Sequence, residues 1–328
     1  MLNPKEGMYV IYELLMFIGM AIVYSIETVV LTLIPRRYRA KSIKGEVALI
    51  TGGASGIGRL IAIKFAKLGA HVVIWDINKN GLAEVAEEIR NVGGKCSTYY
   101  CDIGDKQAVY HAAKAVQIDV GNVSLLVNNA GYVYGKTFME LPDSEIEKTF
   151  KVNVLSHYWI TKSFLKDMMK NNHGHIVTIA SVAGLLGIYN CTDYSATKFA
   201  AIGCHESLFT ELKVHGYEGI HMTLICPYLI NTGMFNGVKP RLMPMLTPEY
   251  VAEEVVASTL ANETLVVLPH VLRYVLPFKS LLPMKVNWAL MYHILKGPQI
   301  MMTFKGRDST ELDKNDNTTT NYEDIRTH

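Results

Sequence analysis

From Lys44 onward, short apolar runs alternate with stretches of helical periodicity. Near-continuous Val, Ile and Leu runs are typical of strands buried on both faces of a parallel sheet, and their alternation with helices indicates helices on both sides of that sheet. Helices are predicted near 57–69, 79–92, 105–120, 143–171 and 193–215. The predicted strands are EVALIT (46–51), HVVIWD (71–76), CSTYYCD (96–102), VSLLVNNAG (123–131), HIVTIAS (175–181), IHMTLICP (220–227) and LVVLP (265–269). The pattern predicts one α/β domain over 44–306, a doubly wound, Rossmann-like, seven-stranded parallel sheet.

The N-terminal region has a different pattern. Residues 8–34 are almost wholly apolar, and five basic residues follow: Arg36, Arg37, Arg39, Lys41 and Lys44. As a helix, this run would rise about 40 Å, enough to cross a bilayer with tilt. We therefore predict an N-terminal hydrophobic membrane helix with a basic flank over 1–43 and a catalytic domain on the cytosolic side. Glu13 and Glu27 leave a shallow hairpin or an interfacial helix as an open alternative.

Two C-terminal stretches are unusual in charge. No acidic residue occurs between Glu263 and Asp308, whereas basic residues alternate with Leu, Phe, Trp and Met there. That composition suits a surface lying on anionic lipid, and a packing element over a substrate pocket remains the alternative. Residues 307–328 are polar and acidic, and we predict a disordered tail. Residues 228–247 are irregular and follow a strand end, which predicts a substrate flap.

Composition narrows the remaining possibilities. The net charge of +2 over 328 residues gives no reason to expect a nucleic-acid partner. The five cysteines have neither Cys-x-x-Cys spacing nor a partnering His pattern, so we expect reduced thiols and no metal site.

A glycine-rich loop lies between the first predicted strand and the first helix of the domain. The segment Thr51–Gly58 reads TGGASGIG, and glycines there let backbone amides and the positive helix end approach a pyrophosphate. The cofactor contacts expected in this loop are Gly52, Ser55, Gly56, Ile57 and Gly58. We therefore predict a dinucleotide site, although glycines of this kind also serve simple turns.

Polar residues at the next strand ends extend this site. Asp76 ends the second strand, where a carboxylate can bind the adenosine ribose diol and repel a 2′-phosphate. This favours NAD over NADP. Asp102 is placed for the adenine amino group with Ile103 beside the ring, and Asn129, within the Asn-Asn-Ala-Gly loop at 128–131, for the cofactor or backbone groups.

Ser181, Tyr194 and Lys198 form the candidate catalytic group. A phenol normally has a pKa near ~10, and a lysine four residues on along a helix lies on the same face, where its charge favours the phenolate. The pattern indicates an apparatus for removing a proton from an alcohol. Taken alone, Tyr-x-x-x-Lys is also common on helical surfaces.

Taken in order, these motifs resemble the short-chain dehydrogenase/reductase family over about residues 44–270. The chain is most similar to the membrane-associated group of epidermal retinol dehydrogenases and 17-beta-hydroxysteroid dehydrogenases of types 11 and 13. That similarity rests on the apolar leader ending in PRR, VIWDINK at 73–79, NHGHIVTIAS at 172–181 and CPYLINTGMF at 226–235. Tyr228 departs from the family pattern, in which glycine commonly follows the proline.

The resemblance implies a role for each site residue. Tyr194 would be the general base and Ser181 would hold the alcohol oxygen. Lys198 would lower the pKa of Tyr194 and bind the nicotinamide ribose, and Asn153 would hold a water. Pro227 and Thr232 would lie beside the nicotinamide carboxamide. The implied reaction moves a hydride from a lipophilic alcohol, a retinol or hydroxysteroid, to NAD.

The resemblance also implies a setting for this activity. We expect a homodimer through the two long helices, located at the endoplasmic reticulum membrane or a lipid droplet. Two alternatives stay open: an NADPH-dependent reductase of retinal or ketosteroids, and a non-catalytic lipid-droplet surface protein.

Overall fold

The computed structural model describes residues 4–306, so the predicted tail at 307–328 lies outside the described residues. The chain divides into two compact units after Ser42. In the first unit, helix α1 spans Pro4–Leu33 and the short helix α2 spans Arg36–Arg39. The segment Lys5–Leu31 of α1 has a mean hydropathy of 2.2 and is long and apolar enough to cross a membrane. This length and composition are those predicted from the sequence.

The second unit is built on a seven-stranded parallel sheet, as the alternating pattern predicts. Its strands lie in the order β3-β2-β1-β4-β5-β6-β7, with the chain reversing direction across the sheet after β3. The strands are β1 Val47–Thr51, β2 His71–Asp76, β3 Lys95–Tyr100, β4 Leu125–Asn128, β5 Gly174–Ile179, β6 Ile220–Pro227 and β7 Leu265–Leu268. In this topology the crevice for a ligand opens at the carboxyl ends of the strands, between β1 and β4.

Helices cover both faces of the sheet and bury two hydrophobic cores. On one face, α3 (Gly56–Lys67), α4 (Lys79–Asn91) and α9 (Pro248–Leu260) bury aliphatic residues together with Phe65. On the other face, α5 (Lys106–Asp119), α7 (Ser156–Asn171) and α8 (Thr192–Val214) pack around Trp75 and Phe164. These layers hold in place the strand ends and the helix that carry the candidate site residues.

The structure differs from the sequence prediction in two of its longer helices. The single helix expected near 143–171 is α6 (Asp143–Phe150), a π-helical turn at Lys151–Leu155 that contains Asn153, and then α7. Helix α9 follows the flap and has no counterpart among the predicted helices. It begins at Pro248 with the Thr247 side chain accepting from the Tyr250 amide, a standard helix start.

Short helices follow the last strand. They are α10 (Leu272–Val275), α11 (Phe278–Leu281), α12 (Met284–Ala289), a π-helical turn at Leu290–Ile294, and α13 (Gly297–Met301). Prolines at 277, 283 and 298 precede or open three of these helices, because proline fits a first helical turn but cannot continue a preceding helix.

Candidate active site

Tyr194, Lys198 and Ser181 converge at the carboxyl end of β5. Ser181 lies two residues beyond the end of that strand, and its side chain interacts with the phenol of Tyr194. Lys198 lies one helical turn beyond Tyr194 on α8, with its ammonium 5.6 Å from the centre of the Tyr194 ring. Lys198 Nζ also donates to the carbonyl oxygen of Ile179 at 3.0 Å. The three side chains that the sequence singled out therefore lie together.

Burial has the largest effect on the pKa values of Tyr194 and Lys198. Tyr194 is 5% exposed and Lys198 is 3% exposed. Burial raises the pKa of Tyr194 above its ordinary value, and the smaller effect of the Ser181 hydroxyl acts in the opposite direction. Burial also lowers the pKa of Lys198 to about 8. The sequence argument counted only the lysine charge and omitted this desolvation, which disfavours both charged forms.

Asn153 connects three parts of the site through its side-chain amide. Its Oδ1 accepts from the Tyr132 amide at 2.7 Å, and its Nδ2 donates to the Tyr132 carbonyl at 2.8 Å and to Thr197 Oγ1 at 3.0 Å. Thr197 lies beside Lys198 on α8. The amide thus holds the loop after β4 against α8, and both of its hydrogens already donate hydrogen bonds.

The glycine loop after β1 makes a tight, closely packed turn into helix α3. Gly52 and Gly56 have φ values of +64° and +54°, which favour glycine. At Gly58, a Cβ atom would lie 2.2 Å from the Gly52 carbonyl oxygen, so helix α3 can approach the loop only because a side chain is missing. The Ser55 side chain makes no cap at the start of α3, which leaves that helix end for an anion.

Asn129 ties the loop after β4 to this glycine loop. Its Nδ2 donates to the carbonyl oxygens of Thr51 at 2.9 Å and Gly52 at 3.1 Å. Within the described residues, its Oδ1 is buried without a hydrogen-bond partner. Because buried polar atoms are nearly always paired, this oxygen marks a position for a ligand donor, and the residues present fit a dinucleotide.

The Asp76 carboxylate lies at the rim of the same crevice. Its Oδ2 accepts from the Ala54 amide at 3.0 Å and its Oδ1 from the Asn78 amide at 2.9 Å. These bonds fix the carboxylate against the glycine loop, and each oxygen retains a lone pair for a diol.

The two residues predicted near the adenine differ in exposure. Asp102 is exposed and its Oδ1 accepts from the Gly104 amide at 2.8 Å. Ile103 is 6% exposed and packs in the core around Trp75. Only a small part of the Ile103 side chain is therefore accessible for contact with an adenine ring.

The flap after β6 reaches back over the glycine loop. Pro227 ends β6, and its carbonyl oxygen accepts from Ser181 Oγ at 3.4 Å. Thr232 is exposed, and its Cγ2 atom would lie 3.6 Å from a Cβ at Gly56. The predicted carboxamide residue thus lies directly across from the predicted pyrophosphate loop.

An aromatic cover lies over Tyr194. The ring of Phe235, in the flap, meets the Tyr194 ring edge-on with centroids 5.9 Å apart, and Phe304 lies 5.4 Å from Phe235. Phe304 packs against Gly135, where a Cβ would lie 2.2 Å from its ring. Sequence reasoning missed Phe235 and Phe304 as individual site residues. The only available signal was the apolar character of the flap and of the C-terminal stretch.

The histidines near the site have structural partners. His205 Nδ1 is hydrogen-bonded to Thr178 Oγ1 at 2.9 Å, and His175 Nε2 to Thr223 Oγ1 at 2.8 Å. Over residues 4–306, the His, Cys, Asp and Glu side chains form no group of three that could hold a metal ion.

This combination of fold and site decides the family. The family model for short chain dehydrogenases matches residues 46–242. The chain belongs to the short-chain dehydrogenase/reductase family. It is accordingly an oxidoreductase that acts on CH–OH groups with a nicotinamide dinucleotide.

Relatives and solved structures agree with this assignment. Human epidermal retinol dehydrogenase 2 is 43% identical, over 84% of this chain and 90% of that protein. Estradiol 17-beta-dehydrogenase 11 of Pongo abelii is 42% identical, over 83% and 90%. A short-chain dehydrogenase/reductase from Burkholderia phymatum, solved with NAD, matches with a TM-score of 0.68 and 26% identity over 73% of this chain and 94% of that one.

Proposed function

We propose that this protein is a membrane-associated, NAD-dependent dehydrogenase of a lipophilic alcohol of the retinol or hydroxysteroid class. The observation that carries the proposal is the convergence of Ser181, Tyr194 and Lys198 beneath an aromatic cover. A polar reacting group enclosed by Phe235 and Phe304 suits a substrate with one hydroxyl and a large apolar body. The retinol and estradiol names of the relatives support the same substrate class.

Each candidate side chain has its own role in the proton transfer. Tyr194 Oη takes the proton of the substrate hydroxyl, and Ser181 Oγ donates a hydrogen bond to the same oxygen as its charge develops. Lys198 supplies a positive charge that stabilises the phenolate and binds the nicotinamide ribose. NAD held in the crevice beside the glycine loop would supply the acceptor for the hydride of the alcohol carbon. Asn153 keeps the loop after β4 in register with Lys198, and a water there would extend the path by which the proton leaves.

The coenzyme preference rests on charges near Asp76. The carboxylate would repel a 2′-phosphate, and two basic side chains on the adjoining helices α3 and α4 have other partners. Arg59 Nε donates to Glu88 Oε1 at 3.1 Å, and Lys79 lies over the Tyr100 ring at 5.0 Å. The proposed NAD contacts are Gly52, Ser55, Gly56, Ile57, Gly58, Asp76, Asp102, Ile103, Asn129, Tyr194, Lys198, Pro227 and Thr232.

The anchor completes the proposal. Helix α1 would hold the enzyme at the endoplasmic reticulum membrane or a lipid droplet, where a lipophilic substrate is concentrated, with the catalytic domain in the cytosol. Whether α1 spans or lies in the interface depends on the state of Glu13 and Glu27. A homodimer through the region of α6, α7 and α8 belongs to the same proposal.

Catalysis is tested by Tyr194→Phe, with Tyr110→Phe on the exposed face of α5 as the matched control. Purified protein in liposomes with NAD and retinol or estradiol should generate NADH, and Tyr194→Phe should lower kcat by about 10²-fold or more. Wild-type protein that is inactive on a broad panel of lipophilic alcohols and ketones would contradict the enzyme proposal. It would favour a surface protein instead.

Coenzyme choice is tested separately from catalysis. Dissociation constants for NAD and NADP are measured by calorimetry on wild type and Asp76→Ala. We expect NAD to bind more tightly, and the variant to lose most of that preference. A similar solved oxidoreductase binds NADP (TM-score 0.59, 27% identity, over 70% of this chain and 97% of that one). Tighter NADP binding by the wild type would therefore favour an NADPH-dependent reductase.

A further inference from the structure

We propose that residues 271–294, here called the C-terminal segment, dock on an anionic phospholipid surface as a second membrane contact, in addition to helix α1. This inference does not depend on the substrate or the coenzyme. It concerns the surface formed by α10, α11, α12 and the π-helical turn that follows them.

Exposed apolar side chains are concentrated in this segment. Eleven of its 24 residues are large apolar or aromatic side chains that the fold leaves exposed, compared with 16 of the 228 residues from 43 to 270. The most exposed are Met284 at 81% and Leu281 at 76%. Soluble surfaces scatter such residues singly, so this concentration indicates a surface that is covered by a partner.

The segment is nevertheless firmly attached to the domain. Leu272 and Leu276 pack into the core beside β6 and β7. Lys279 Nζ donates to the Leu185 carbonyl at 2.9 Å, and its ammonium lies over the Phe199 ring. Asn287 Nδ2 donates to the carbonyls of Lys279 and Leu282, which holds α12 against α11. These contacts fix one face of the segment, so its apolar residues are held outward.

The chemistry of the outward face fits a lipid headgroup region. Trp288 stacks on Tyr292 with centroids 5.1 Å apart, and both rings are exposed. Trp and Tyr are enriched where membranes meet water. Exposed Arg273 and Lys285 lie among the apolar residues, and the sequence from 264 to 306 contains no acid. Basic residues of this kind are attracted to anionic lipid.

The charges of Arg273 and Lys285 also argue against a second copy of the chain as the partner of this face. In a symmetric dimer through this face, the segment would meet its own counterpart. Arg273 and Lys285 of the two copies would then bring like charges together without an acidic residue of the segment to compensate them.

Tryptophan quenching can test the contact on the full-length protein. The chain has three tryptophans: Trp75 is buried, Trp159 is half-buried and Trp288 is exposed. Helix α1 contains none, so the anchor contributes no tryptophan signal. Protein is reconstituted in phosphatidylcholine vesicles with phosphatidylserine and brominated phosphatidylcholine. We expect a quenched component of the emission that Trp288→Phe removes.

A charge variant tests the electrostatic part. Arg273→Gln/Lys285→Gln should weaken docking about thirtyfold on anionic vesicles, at about fivefold per basic residue. The matched control is Arg90→Gln/Lys95→Gln, an exposed Arg and Lys at the opposite edge of the sheet, beside β3. The control should leave the quenching unchanged.

Two results would overturn the proposal. In the first, Trp288 is not quenched by brominated lipid but is reached freely by aqueous acrylamide, so the face is solvated. In the second, Trp288 is protected from both quenchers increasingly as protein concentration rises, so a second copy covers it.

Discussion

His157 provides a quantitative test of how well water is excluded from the interior next to Lys198. It lies on α7 and is 5% exposed. Burial is the largest cause that lowers its pKa to about 3, and the charges of Lys198 and His205 act in the same direction. The imidazole is therefore neutral in the folded protein across the physiological pH range.

Acid should consequently destabilise the fold through this residue. An unfolded histidine takes up a proton near pH ~6.5. Between that pH and about 3, the unfolded chain binds a proton that the folded protein does not bind, so stability falls as the pH falls. At pH 5, about 1.5 pH units below the unfolded pKa, the loss is about 2 kcal/mol. For a domain of this size, that corresponds to a decrease in Tm of about 4 °C.

The assay compares thermal unfolding at pH 7 and pH 5, in one detergent, for wild type and His157→Leu. The wild type should lose about 4 °C more than the variant between the two pH values. A constant cost of repacking cancels in this comparison. His215→Leu, at an exposed position, is the matched control and should follow the wild type. An unchanged pH dependence in His157→Leu would refute the reasoning, because it would mean that His157 is protonated or solvated in the fold.

Two further substitutions test the coenzyme loop and the aromatic cover. Gly58→Ala would place a methyl group 2.2 Å from the Gly52 carbonyl, so we expect coenzyme binding measured by calorimetry to weaken about tenfold or more. Gly203→Ala is the control, because a methyl group there has open space, and it should leave the affinity unchanged. Equal affinities of the two variants would argue against a close approach of helix α3 to the loop. Phe304→Ala should lower the free energy of unfolding by about 3 kcal/mol and raise KM for a lipophilic alcohol without changing the coenzyme Kd. Met302→Ala, at an exposed position, is the control and should change neither the stability nor KM. An unchanged KM in Phe304→Ala would mean that Phe304 does not line the substrate pocket.

The C-terminal stretch divides into two parts that pack differently. Residues 297–306 pack over the site: the Lys305 amide donates to the Asn236 carbonyl at 3.1 Å, and Asn190 Nδ2 donates to the Met301 carbonyl at 3.4 Å. Residues 271–294 instead expose their apolar side chains. Composition alone did not separate these parts, because both combine basic and apolar residues.

The sequence by itself determined the sheet, its strand positions and the polar residues at the strand ends. These features depend on short-range patterns: runs of Val, Ile and Leu, glycines at a strand-to-helix turn, and a Tyr and Lys one helical turn apart. Such patterns can be read locally because each reflects the geometry of one element. Helix α1 was likewise determined by its length and hydropathy.

Only the tertiary structure decided what surrounds the reacting phenol. Phe304 lies 110 residues beyond Tyr194 in the chain and reaches it through Phe235, and contacts between distant segments leave no periodic signal. The structure alone also revealed the unpaired Asn129 oxygen, the Asn153 amide held between a loop and α8, and the large desolvation of Tyr194. Burial depends on all the elements that pack around a group, so no spacing along the chain could have predicted its size.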